Sequence, residues 1–91
     1  MGNEIVLFSS EERQTRPEVV TFLRDLAERI EKGEVVLQKG DESVTVNLPQ
    51  NLVLELKVET EEKKDGREKW QLEVEIEWYE GDDIDTGVTL G

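Results

Sequence analysis

The spacing of apolar residues changes at Gly33. Before it, Val19, Phe22, Leu23, Leu26, Ala27 and Ile30 recur at intervals of three and four, so they form one stripe of an α-helix. Arg24, Asp25, Glu28 and Glu31 fall off that stripe. The helix is expected over residues 16–32, and both ends carry a chemical reason. Thr15 can accept from the free backbone N–H groups of the first turn, and Glu18, three residues on, completes a capping box. Pro17 sits in the first turn, where a missing N–H costs no hydrogen bond. Gly33 is the left-handed residue that closes the last turn.

After Gly33 the period is two, and parity restricts every turn, because facing residues of an antiparallel pair share a face. Val35 and Leu37 are odd-numbered, whereas Val44, Val46 and Leu48 are even. A two-residue turn at Gly40-Asp41 joins the two sets by placing Leu37 opposite Val44 and Val35 opposite Val46. Leu52, Leu54, Leu56 and Val58 are all even, so an odd loop, Pro49-Gln50-Asn51, must precede them. Trp70, Leu72, Val74, Ile76 and Trp78 are even again, and the three-residue loop Lys64-Asp65-Gly66 preserves the face. A two-residue Asp65-Gly66 loop would set Leu56 against Glu75, which fails.

The strands are therefore expected at about 34–39, 43–48, 52–62 and 67–80, and the run Ile5–Phe8 adds a first strand at about 4–9 on one edge of the sheet. The fold class is α+β: two layers, one helix packed on a mostly antiparallel sheet, in the order β-α-β-β-β-β with a four-strand meander. One domain spans 1–91, ending in a flexible acidic tail, 81–91, whose apolar contacts are Val88 and Leu90.

Composition removes most chemistries. His and Cys are absent, so the common zinc, haem and iron–sulfur ligand sets, a Ser-His-Asp triad, a Cys nucleophile and a His general base cannot be built from this chain. No disulfide can form, no apolar run reaches the ~20 residues of a membrane span, and the first residues lack a basic-then-apolar signal pattern. The expectation is a cytoplasmic protein without cofactor, membrane contact or enzymatic activity. Eleven basic against 23 acidic side chains give a net charge of −12. Basic residues are scattered among acids, so the patch needed to displace counterions from nucleic acid is missing.

The segments Phe22-Leu23, Leu26-Ala27-Glu28-Arg29-Ile30, Gly33-Glu34-Val35 and Leu72-Glu73-Val74-Glu75-Ile76-Glu77-Trp78 together resemble the amphi-Trp domain proteins, which are mostly haloarchaeal. The amphipathic strand ending in Trp78 is the most particular match. The resemblance implies a small cytosolic domain of halophiles and carries no catalytic residue onto this sequence. The acid content departs from strong halophile signatures: there are 17 Glu against 6 Asp, and 6 Lys are retained.

Two groups of residues are candidates for an interaction surface. The first is an acidic ladder on the outer sheet face, with Glu55 facing Glu75, Lys57 facing Glu73, Glu59 facing Gln71, and Glu77 and Glu61 extending it. Its plainest reading is a solvated face in a salt-rich cytosol, where the Debye length falls to about 3 Å. The functional reading is a docking surface for a basic partner, with weak, non-specific cation binding beside it. The second group is Trp70 and Trp78, about 27 Å apart along one face. A helix of about 25 Å cannot cover both the length and the width of a four- or five-strand sheet. A Trp at the margin is thus either core capping or an anchor for a partner, and Trp70, beside the turn, is the one expected to be exposed.

Other motifs add little. Asp82-Asp83-Ile84-Asp85 offers oxygen ligands but fits no EF-hand loop, and Asp85-Thr86-Gly87 matches an aspartic-protease triplet by chance. Lys39-Gly40 lacks a helix-opening glycine loop, and Arg13 and Arg16 could hold an anion near the helix start or simply aid solubility. The functional expectation is a non-enzymatic, salt-adapted, acidic protein-interaction module for an unidentified protein partner, which in one form is a homodimer. The alternative is an acidic mimic or inhibitor that docks a basic protein through the outer face.

Overall fold

The computed structural model describes residues 2–81. It holds one helix and four antiparallel strands, an α+β chain: α1 (Arg16–Lys32), β1 (Glu34–Lys39), β2 (Glu42–Asn47), β3 (Val53–Glu62) and β4 (Glu68–Glu77). Two units divide the chain, Met1–Leu48 and Pro49–Gly91.

In the first unit the capping box forms as the sequence predicts. The Glu18 N–H donates to Thr15 Oγ1 at 3.3 Å, and the Thr15 N–H donates to Glu18 Oε1 at 2.8 Å. Gly33 ends the helix at φ 85°, its N–H donating to the Ile30 carbonyl at 2.9 Å. Its own carbonyl accepts from Leu48 N–H at 2.9 Å, so one glycine both stops α1 and holds the end of β2. β1 and β2 pair with Val35 opposite Val46 and Leu37 opposite Val44, through a turn in which Gly40 has φ 59°. α1 packs against β1. Val35 is the buried hydrophobic residue among those described, at 6% exposure. Leu26, Ile30, Leu37, Val44 and Val46 are half-buried around that small core, whereas Val19, Phe22 and Leu23 in the first half of α1 are exposed.

The second unit is a hairpin of two ten-residue strands in the register that parity requires: Leu54 opposite Ile76, Leu56 opposite Val74, Val58 opposite Leu72 and Thr60 opposite Trp70. The turn is the expected three-residue loop. Lys63 N–H donates to the Arg67 carbonyl at 2.8 Å, Gly66 N–H donates to the Lys63 carbonyl at 2.9 Å, and Gly66 takes φ 88°. Asp65 ties the loop by accepting from the Arg67 N–H at 3.0 Å and from its Nε at 2.7 Å.

Two expectations need correction. Residues 4–9 are not a strand: residues 2–15 form neither helix nor strand, and Ile5, Val6 and Leu7 are exposed. A strand persists only when a neighbour takes its N–H and C=O groups, and a four-residue apolar run carries nothing to select that neighbour. Among the described residues the strands pair as two two-stranded sheets, β1-β2 and β3-β4. The segment between β2 and β3 is five residues, 48–52, and includes Pro49, which has no N–H for a ladder. β4 ends at Glu77, short of the expected 80, so Trp78 lies just beyond it. The acidic tail, with Asp82, Asp83, Asp85, Val88 and Leu90, lies outside the described residues apart from Gly81.

Candidate functional site

The β3–β4 hairpin presents two faces of opposite chemistry, because its side chains alternate and the register places like with like. On the even-numbered face, Leu54, Leu56, Val58, Trp70, Leu72 and Val74 stand 57 to 71% exposed. Ile76 is half-buried beside them, and Trp78, beyond the strand, is half-buried too. The alternation read from the sequence is thus present in the geometry of the hairpin. Trp70, at 70% exposure, is the open one of the two tryptophans.

The odd-numbered face carries the acidic ladder, and the structure divides it. Glu55, Glu75 and Glu77 come together, with one carboxylate oxygen from each within 4.8 Å of the others. Glu75 shares a hydrogen bond with Glu55, which raises its pKa above the ordinary glutamate range, and the negative charges of Glu55, Glu77 and Glu73 push the same way. Such a trio of exposed oxygens could hold a hard cation in place of the shared proton. Glu73 goes elsewhere. Lys57 Nζ lies 3.3 Å from its carboxylate and 3.0 Å from that of Glu59. The Lys57 pKa is raised, first by the hydrogen bond to Glu59 and then by that to Glu73. The ladder is therefore half repulsive cluster, half neutralised clasp.

Lys57 and Glu59 hold the places in the ladder that the sequence reading gave them, opposite Glu73 and Gln71. Their period-two spacing on one strand was the signal, since residues two apart share a face. At the helix start, the anion reading of Arg13 and Arg16 meets competition. The Glu18 carboxylate already accepts from the Thr15 N–H and Oγ–H, the latter at 3.1 Å, and its pKa is lowered by those bonds.

The chain is thus an acidic α+β chain with an amphipathic hairpin and Trp78 just beyond its last strand. The Amphi-Trp domain model matches residues 1–90, and the chain belongs to that family. No curated protein and no solved structure matches it. Among the described residues, no helix is long and apolar enough to cross a membrane.

Proposed function

We propose that this chain is a non-enzymatic, salt-adapted protein-interaction module of the cytoplasm that works through the even-numbered face of β3–β4. The observation carrying this reading is the exposure of Leu54, Leu56, Val58, Trp70, Leu72 and Val74 on one continuous side of the hairpin. Fully burying one such side chain is worth roughly 1.5–3 kcal/mol, and a two-stranded hairpin alone is at best marginal in water. A face of this kind is an interaction site once a partner supplies the missing apolar layer. The two-layer meander that the sequence predicts belongs to the same proposal, with α1 as the layer over the β1–β2 part.

The net charge of −12 supports the salt-adapted part. The Glu55–Glu75–Glu77 cluster is unfavourable in dilute buffer and tolerable when salt screens it. That cluster also favours the second reading, an acidic mimic for a basic protein, although Lys57 neutralises part of the surface such a mimic would present. Sedimentation velocity separates the two. The chain is run alone and mixed with poly-lysine, from dilute buffer to molar KCl. Apolar association that survives molar KCl supports the module. Binding to poly-lysine that salt abolishes, with no association otherwise, overturns it in favour of the mimic.

A further inference from the structure

The exposed face of β3–β4 needs an occupant, and the dimensions of the chain limit what that occupant can be. The uncharged pairs from Leu54–Ile76 to Thr60–Trp70 take up seven residues of each strand, a face about 24 Å long and, with two strands about 4.8 Å apart, about 10 Å wide. A helix is about 10 Å across and its apolar stripe covers about two strands. α1 is the one helix among the described residues, and Leu26 and Ile30 in its second half already serve β1–β2. The part of its stripe left bare, Val19 to Leu23, runs only about 6 Å along the axis. Among the described residues, one helix stripe is too small to serve two apolar hairpin faces of this length.

Charge narrows the choice further. The Leu54, Leu56, Val58, Thr60, Trp70, Leu72, Val74 and Ile76 positions hold no ionisable group, and the same face ends at the turn in the acidic pair Glu62–Glu68; the opposite side carries an excess of acids, Glu55, Glu59, Glu61, Glu73, Glu75 and Glu77 against Lys57 and Lys69. A basic partner would be drawn to the acidic side. The apolar stretch from Leu54–Ile76 to Thr60–Trp70 suits a partner stretch equally free of charge and of equal length, whose acids lie at the end of its face or on its other side. A second copy of this hairpin has these properties. We infer that two copies of the chain stack the even-numbered faces of their β3–β4 hairpins on each other, about a two-fold axis, as the two inner layers of a sandwich about 10 Å apart. The acidic ladders then lie on opposite outer surfaces, as far apart as the assembly allows. This inference rests on the interaction-module reading and names its partner.

The test uses the full unmodified chain in molar KCl. Light scattering gives the mass, and isotope-filtered NOE spectra of a one-to-one mixture of labelled and unlabelled chains report contacts between copies. The expected result is twice the 10.5 kDa chain mass, with intermolecular NOEs among the Leu54, Leu56, Leu72 and Val74 methyls and the Trp70 ring. A dimer whose intermolecular NOEs come from other residues overturns the inference. A monomer whose hairpin face is reached by a soluble paramagnetic probe also overturns it, and leaves the module reading standing with a different partner. A monomer in which that face is shielded and shows only intramolecular NOEs overturns both.

Discussion

Leu72 lies in the middle of the exposed face, opposite Val58, and is 71% exposed in the single chain. Its truncation therefore has two very different expected costs. If the face stays in water, Leu72→Ala changes little, since surface substitutions mostly fall within about 0.5 kcal/mol. If a second copy covers it, the change removes a packed leucine from a core, which costs roughly 2–5 kcal/mol at each site. Two-fold symmetry counts the loss twice, so even the lower bound weakens the dimer by about 4 kcal/mol, about 1,000-fold in dissociation constant. Alanine is also a poor strand former, at up to about 1 kcal/mol. Gln71→Ala, one residue away on the outer face, carries the same propensity loss without the burial and is the control. Sedimentation equilibrium in molar KCl reads both. The account expects a wide gap between the two variants, and equal dissociation constants would refute the reasoning.

Gly33→Ala places a Cβ on a residue held at φ 85°, and the left-handed conformation costs an L-residue about 1–2 kcal/mol. Thr15→Ala removes the acceptor of the N-terminal cap and costs about 1 kcal/mol. Thermal unfolding followed by circular dichroism should show both as lower Tm, with additive effects because the sites are at opposite ends of α1. Glu75 has a raised pKa in the folded chain, so the folded state holds its proton more tightly than the unfolded one. The penalty from its charge is absent below the ordinary glutamate range and grows as pH rises through the raised value. Glu75→Gln should therefore raise the Tm at neutral pH in dilute buffer, and the gain should shrink at acid pH and in molar KCl. Glu18 and Asp65 have lowered pKa values and act in the opposite sense, their contribution being lost as pH falls through those lowered values.

Much of the architecture was legible because local rules acted without competition. Thr15, Pro17, Glu18 and Gly33 define α1 by hydrogen bonds made within a few residues, and the helix runs over the predicted 16–32. The two hairpin registers follow from parity, since a one-residue slip would turn Leu56 against a glutamate. The strand expected at residues 4–9 failed because it depends on which distant surface meets that run, and a short apolar stretch carries no name for its partner. The register of the acidic ladder, Glu55 opposite Glu75 and Lys57 opposite Glu73, was legible from parity, but its division into a Glu55–Glu75–Glu77 cluster and a Glu59–Lys57–Glu73 clasp depends on side-chain reach across the register.

The most direct test of the central claim follows the fluorescence of Trp70 alone, in a Trp78→Phe variant at molar KCl, as protein concentration rises. Trp70 is 70% exposed in the single chain and would be enclosed by the second copy. The account predicts an emission maximum that is red at high dilution and moves to the blue as the dimer forms, with a midpoint that matches the dissociation constant from sedimentation. An emission maximum that stays at one wavelength across the concentrations where the mass changes, or across every concentration, would contradict it.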